Sequence, residues 1–418
     1  MNGILNTTKI RNNMKTLVWL THSFRTDSRL TTKLEGPCTF VYYSPYYFAG
    51  EREKQILKHC SKQNLEAFYE SLDMMKKSLR AIGHDLYVFK QTNPIEHINS
   101  LIDTYGFTKV IIDLPLFGMW KSTDPMEIKV PFELVDSDLI DDECPRMTAK
   151  SRWMAHTRNL ENIKFHKWNP AILPHSINEV TDTYPQYNRN SLIMPHVAKY
   201  RAIAMAPKYG ETRDKHNGQT RLSTAFQNGT VDPHNMFYQI VKEFQIIGAD
   251  FSVNEGAHAS MLRQFAFREI SIIQSRRTGL TMEDNSIDWA KAIITEKSYE
   301  NLVTKTNTES TLTFEQIRNA NTGDELVDQI LSESYKIGVM PNRARMFYAG
   351  WLFYNAPTGI EALQWLINTF DLLLLDGQCP TNYMQSCSTM NLQYGKVMLL
   401  NRNRVQELLQ YEAQPQFS

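Results

Sequence analysis

Residues 340–382 read MPNRARMFYAGWLFYNAPTGIEALQWLINTFDLLLLDGQCPTN. Asn342, Arg345, Asp376 and Asn382 flank a long apolar span here. Such groups are costly to bury unless they meet each other or a polar ligand. Apolar residues recur at helical spacing on both sides of Asn355-Ala-Pro-Thr358, so the stretch predicts two helices, 342–355 and 358–375. Asn342, Arg345, Met346 and Ala349 then share one helical face. Asp376 and Asn382 arrive from the loop after the second helix. A polar set held in a helical core is the mark of a bound cofactor, with packing by an Arg345–Asp376 pair as the plainer reading.

Working outward, helical spacing governs everything beyond Pro195: 196–206, 222–247, 257–275, 285–296, 314–336 and 401–412 join the two helices above. Residues 300–313 read as an exposed loop. The first third is different. Lys15–Leu20, Thr39–Tyr43, Asp85–Phe89, Lys109–Ile112 and Phe132–Leu134 are short strand-like runs, with helices at Asn64–Leu79 and Pro94–Tyr105 between them. Strands alternating with helices of this size predict a parallel sheet covered on both faces. No GxGxxG follows the first strand, so the usual dinucleotide fingerprint is missing. Residues 141–195, rich in Pro, Asn, His and Tyr, read as a long surface connection. The expected organisation is an α/β domain over 1–140, a linker over 141–195 and an all-α domain over 196–418.

Composition narrows the classes. With 45 basic and 45 acidic residues the chain has no net charge, so a nucleic-acid partner would need a local basic face. Lys199, Arg201, Lys208, Arg213, Lys215 and Arg221 form one basic run; Arg263, Arg268, Arg276, Arg277, Arg343, Lys396, Arg402 and Arg404 lie in the same domain. The competing reading is a solvated helical surface. Five scattered cysteines without a CxxC pair argue against a disulfide framework or a structural metal. No apolar run reaches membrane-spanning length and no signal peptide is evident, so cytoplasmic residence is expected.

Three further segments carry polar groups at meaningful spacing. Tyr209-Gly-Glu-Thr-Arg213 and Gln219-Thr-Arg-Leu-Ser223 place hydroxyls and arginines before a helix, which suits a phosphate and equally suits a capping motif. Gln264, Phe267, Arg268 and Ser271 share a helical face, an arrangement for a planar heterocycle or for an amphipathic helix with a structural salt bridge. Asn321-Thr-Gly323 reads as a helix start.

In this order and at these separations, the segments resemble the photolyase/cryptochrome family. That family shows Tyr-x-x-x-Arg, Thr-Ser-x-Leu-Ser, Trp-Arg-Glu-Phe, Thr-Gly-x-x-x-Val-Asp, Asn-Arg-x-Arg-Met and Asp-Gly-Asp…Asn. Here they read Tyr209…Arg213, Gln-Thr-Arg-Leu-Ser (219–223), Phe-Arg-Glu-Ile (267–270), Thr-Gly…Val-Asp (322–328), Asn-Arg-Ala-Arg-Met (342–346) and Asp-Gly-Gln…Asn (376–382). Leu17-Val-Trp-Leu20 and Phe24-Arg25 are similar to the family's first strand and the loop after it. Six motifs in register make this a short, divergent member by resemblance.

The resemblance implies a Rossmann-like antenna domain, holding a folate or deazaflavin in some relatives, followed by a helical domain that binds bent FAD. Tyr209, Thr220, Arg221, Leu222 and Ser223 would cradle its diphosphate and ribose. Arg268, Arg345, Asp376, Gly377 and Gln378 would lie beside it, with Asn382 near flavin N5. Gln264, Phe267, Asn342, Arg343 and Met346 would face damaged DNA, Gln264 and Asn382 serving catalysis, in a protein expected to be a monomer. The implied activity is light-driven electron transfer to a pyrimidine dimer; the alternative is a cryptochrome-like sensor or redox flavoprotein without repair. Several departures matter. Gln264 stands where dimer-repairing relatives carry Glu, while Asn342 and Met346 match the cyclobutane-dimer type. Phe267 replaces a lesion-stacking Trp, and a second falls near Ser388. The photoreducing tryptophan chain falls near Ser386, Leu363 and Ile317. Gln378 replaces a ring-facing Asp.

Overall fold

The computed structural model describes residues 15–34, 37–49, 59–141, 144–158, 195–214, 219–281, 283–375, 382, 386 and 402–409. Five strands, β1 (Thr16–Leu20), β2 (Cys38–Tyr43), β3 (Leu86–Phe89), β4 (Lys109–Asp113) and β5 (Phe132–Val135), form one sheet in the order β3-β2-β1-β4-β5. Every pairing is parallel, with Val18 opposite Phe40 on one side and Ile111 on the other. Each strand falls within a residue of its sequence expectation.

Alternate side chains of β1 enter different cores, as a period of two requires. Val18 and Leu20 join Phe40, Ile111 and helix α1 (Lys62–Arg80), which contributes Leu72, Met75 and Leu79. Leu17 and Trp19 join Val41, Ile112 and helix α2 (Pro94–Tyr105), through Ile95, Ile98 and Leu101. Burial on both faces is why these strands read as continuous apolar runs. Helix α2 matches its expected bounds because its ends are written locally. Asn93 caps it, Pro94 opens it and Gly106 closes it at φ +69°.

Strand order reverses between β1 and β4, where doubly wound sheets usually admit a ligand. Here the chain's own residues fill that crevice. Asp113 Oδ2 accepts the backbone N–H groups of His22 at 2.7 Å and Ser23 at 2.6 Å, and Ser23 Oγ donates to Oδ1 at 2.9 Å. The loop so fixed reaches into the helical half. His22 Nε2 meets the carbonyl of Phe226 at 2.9 Å, and Arg25 Nη1 donates to that of Gly229 at 2.9 Å.

Among the described residues beyond β5 the main elements are helices: α3 (Ala149–Arg158), α4 (Pro195–Met205), α5 (Leu222–Gln227), α6 (Pro233–Ile246), α7 (Gly256–Thr278), α8 (Ser286–Ile293), α9 (Glu296–Thr304), α10 (Phe314–Arg318), α11 (Glu325–Ile337), α12 (Asn342–Asn355), α13 (Gly359–Leu373) and α14 (Arg402–Leu409). Two cores organise it. Residues from α3 to α7 build one, and residues from α7 to α14 build the other.

Four expectations are corrected. The helix expected over 222–247 is two, because Gly229 turns the chain at φ +63° and Asp232 caps a new start with Pro233 behind it. The 314–336 helix likewise breaks, since Asp324 caps α11 through the N–H groups of Leu326 and Val327. Part of the loop expected over 300–313 belongs to α9, whose Leu302 is fully buried. Most consequentially, the connection expected over 141–195 contains α3, with Arg152 and Trp153 fully buried. Arg152 Nε donates to Glu269 Oε2 at 3.0 Å, and Trp153 Nε1 donates to Asn254 at 3.2 Å. Burial opposes the charge on Glu269, yet His156 and Arg152 together bring its carboxyl down to about 2. Among the described residues, no helix is long and apolar enough to cross a membrane.

Candidate functional site

Helix α7 supplies the floor of a cavity of about 210 Å³. Met261, Gln264, Phe265 and Arg268 line it, a spacing of three and four that puts them on one face. The first turn of α12 adds Asn342 and Arg345, and Asn382 closes that side. The opposite end is built by Thr220, Arg221, Leu222 and Ser223 where α5 begins, with Tyr209 and Arg213 beside them. Among the described residues lining the cavity there is no carboxylate.

Local chemistry fixes these positions. Arg221 adopts φ +61°, left-handed geometry that costs a non-glycine residue roughly 1–2 kcal/mol. Thr220 Oγ1 accepts the N–H of Leu222 at 3.3 Å, which sets the turn into α5. Burial lowers the Arg221 pKa, and burial together with the charge of Arg221 lowers that of Arg201. Arg221, partly out of water and lining this end, favours an anion there. Burial raises the Tyr209 phenol, so it stays a neutral hydrogen-bonding group.

At the other end Arg345 donates to Asn382 Oδ1 through Nη1 and to the Met340 carbonyl through Nη2 at 3.2 Å. Its guanidinium lies over the Phe370 ring at 4.8 Å. The Asn382 amide is therefore oriented by a half-buried arginine. Arg268 is the structural salt bridge that the sequence allowed, with Nη2 donating to Asp138 Oδ1 at 2.8 Å and Nη1 to the Asp138 carbonyl at 2.8 Å. It also covers the Phe226 ring at 5.2 Å while lining the cavity.

The structure thus brings Tyr209, Thr220, Arg221, Leu222, Ser223, Gln264, Arg268, Asn342, Arg345 and Asn382 around one cavity. Three expected residues lie outside its lining. Phe267 is 50% exposed, Arg343 turns to Asp214 at 3.3 Å, and Met346 meets Asn342 Nδ2 at 4.0 Å without lining the cavity. Asp376, Gly377 and Gln378 fall outside the described residues, as does Ser388. The apolar wall of Phe226, Met261, Phe265 and Met340 was not anticipated. Met261 was findable, sitting one helical turn before Gln264.

The positions matched to the tryptophan chain hold Ile317, Leu363 and Ser386, all buried. Trp289 and Trp351 pack in the second helical core, Trp351 Nε1 donating to Asp324 at 3.0 Å. Neither lines the cavity. Much of the expected basic face is locally paired. Lys199 meets Asp27, Arg213 and Arg343 share Asp214, Arg276 meets Asp136, and Arg402 meets Asp324. Lys215 and Lys396 lie outside the described residues.

No family model matches the sequence, and no curated protein matches it. Solved structures do. A cryptochrome from Synechocystis sp. PCC6803 is similar with a TM-score of 0.64 at 16% identity, covering 90% of this chain and 83% of that one. A bacterial class III photolyase from Agrobacterium tumefaciens is similar with a TM-score of 0.61 at 16% identity, covering 90% of this chain and 80% of that one. A five-stranded parallel sheet followed by this helical array, matched over nine-tenths of its length, gives the chain the photolyase/cryptochrome fold.

Proposed function

We propose that the cavity binds FAD and that the protein is a flavoprotein of the photolyase/cryptochrome type. One observation carries this reading: hydroxyls and half-buried cations at one end of the cavity, apolar walls between, and an arginine-oriented asparagine at the other. That donor set fits a dinucleotide whose two phosphates are anionic and whose ring has a polar rim. Arg221 with Thr220 and Ser223 would hold the diphosphate, and Tyr209 and Leu222 would pack beside the ribose. Arg345, Asn342 and Asn382 would meet the ring edge, while Phe265 and Met261 exclude water. When bound, reduced FAD supplies an electron on illumination.

For repair, a pyrimidine dimer flipped from DNA would enter beside Gln264, where one added electron would open the two bonds joining its pyrimidines and then pass back to the donor. Gln264 would then donate hydrogen bonds to the dimer through its amide. The competing reading, a sensor or redox flavoprotein without repair, is favoured by Phe267, which stands outside the cavity instead of stacking within it.

Two outcomes are expected. Purified protein should show flavin absorbance, and Arg221→Gln should weaken FAD retention on the order of tenfold or more, the size of one charged hydrogen bond. Colourless wild-type protein that takes up no added FAD rules out both readings. Chemically reduced protein, illuminated with an oligonucleotide containing a cyclobutane dimer, should consume the dimer, and Gln264→Glu should raise the rate. Unchanged dimer content with both proteins, flavin being bound, leaves the sensor or redox reading.

A further inference from the structure

The loop after β5 brings Asp141 and Cys144 against His156 of α3, away from the cavity. One carboxylate oxygen of Asp141, Cys144 Sγ and a ring nitrogen of His156 lie within 4.8 Å of one another. Cys144 and His156 are buried and Asp141 is half-buried. Thiolate, imidazole and carboxylate together suit a borderline-soft divalent metal of the zinc kind.

The surroundings hold these three groups in place. His156 Nε2 lies 2.7 Å from Glu269 Oε2. A carboxylate on one ring nitrogen fixes the tautomer and turns the other nitrogen, Nδ1, into the metal-binding lone pair. The same Glu269 accepts the backbone N–H groups of Ile140 at 2.6 Å and Asp141 at 3.3 Å through Oε1. Arg152, fully buried, staples the loop from the other side. It donates to the carbonyls of Asp141 at 2.5 Å, Cys144 at 2.9 Å and Arg146 at 3.2 Å. One buried carboxylate and one buried guanidinium thus orient both the loop that carries two donors and the helix that carries the third. Phe237 meets the His156 ring edge-on at 5.6 Å and walls off one side.

Arg152 and Glu269 cancel each other, and a thiolate with a carboxylate is a ligand pair whose two negative charges suit a dication. Ligand bonds of about 2.0–2.3 Å set tetrahedral donors roughly 3.5 Å apart, so groups lying within 4.8 Å of one another need closure by at most about an ångström.

We propose that Asp141, Cys144 and His156 form a three-ligand site for zinc or a similar divalent transition metal, with a fourth position open to water. Its occupancy would lock the connection between the α/β and helical halves onto α7. The inference is independent of flavin binding.

The test uses full-length protein washed with chelator and reloaded with Co²⁺ or Zn²⁺. Wild-type protein should take up a single equivalent of Co²⁺ and show a thiolate-to-cobalt charge-transfer band in the near ultraviolet. Cys144→Ser should abolish that band and weaken Zn²⁺ binding at least tenfold, with unchanged circular dichroism. Asp141→Asn, which keeps the side-chain shape and the backbone contacts to Glu269 and Arg152, should keep the band and weaken Zn²⁺ binding. Absence of Co²⁺ uptake by the wild type, persistence of the band in Cys144→Ser, or an unchanged Zn²⁺ affinity in Asp141→Asn overturns the site and leaves a purely structural Arg152–Glu269–His156 network.

Discussion

Gly229→Ala is expected to destabilise the fold by about 4 kcal/mol or more, the range reserved for backbone clashes and buried defects. A Cβ at this position would sit 1.6 Å from the carbonyl oxygen of His22 and 2.7 Å from its carbon. Both atoms are backbone, so no rotamer change relieves the overlap. His22 itself is fixed, its N–H donating to Asp113 and its ring meeting the Phe226 carbonyl. The φ of +63° adds the ordinary left-handed penalty, about 1–2 kcal/mol. Gly229 also presents its carbonyl to Arg25, so any backbone shift loosens that contact too. The control is Gly248→Ala, where φ is +74° but nothing lies within 4 Å of the new Cβ. It should show the left-handed penalty alone, about 1–2 kcal/mol. Urea midpoints of the two variants against wild type decide the matter. Equal losses would show that the close approach of the two halves at Gly229 does not hold.

Gly229 also shows where sequence reading stopped. Asn228-Gly229 and Asp232-Pro233 are a stop and a start in local chemistry, yet apolar residues continue at helical spacing through 222–247. Periodicity there outweighs punctuation, so the pattern hides the break. Strands and α2 were legible because burial on both faces, or caps at both ends, is written within a few residues. Helix α3 was not, because its polar residues read as surface. Arg152 is buried by an acid 117 positions away, and no local pattern records such a partner. The cavity was legible for a related reason. Gln264 and Arg268, and Asn342 and Arg345, announce themselves as polar groups within apolar helices. Which arc of each helix faces inward was harder. At about 100° per residue the inward arc of α7 runs from Gln264 through Arg268 to Phe265, and Phe267 falls about 60° beyond the other side of Gln264. Arg343 and Met346 rotate away from Asn342 and Arg345 on α12 in the same manner. The family pattern placed all of them at the site; the helix phase separates them.

Asp138→Asn should be the second severe change, because this carboxylate ties the cavity wall to the domain interface. Asp138 is fully buried. Its Oδ1 accepts from Arg268 at 2.8 Å and lies 3.5 Å from His22 Nε2. Arg25 lies close enough to act on it as well, and Asp113 is a like charge within its reach. Burial works against the ionised form, but His22 and Arg268 prevail and hold the carboxyl far below its ordinary range. Asparagine keeps the shape and removes the charge, leaving Arg268 and Arg25 with less compensation in a dry interface. Breaking a buried pair in this way typically costs about 3–5 kcal/mol. The pH dependence follows from the sign of the shift. A carboxylate whose folded pKa is depressed contributes stability above its unfolded pKa and loses it as pH falls below that value. The stability gap between wild type and Asp138→Asn should therefore be widest near neutrality and shrink once pH drops below the ordinary value of 3.8. Urea unfolding of both proteins across that range reads the gap directly. Because Arg268 lines the cavity, Asp138→Asn should also weaken FAD retention if the dinucleotide sits there as proposed. A gap that stays constant with pH would mean that the Asp138 charge contributes nothing to holding the two halves together.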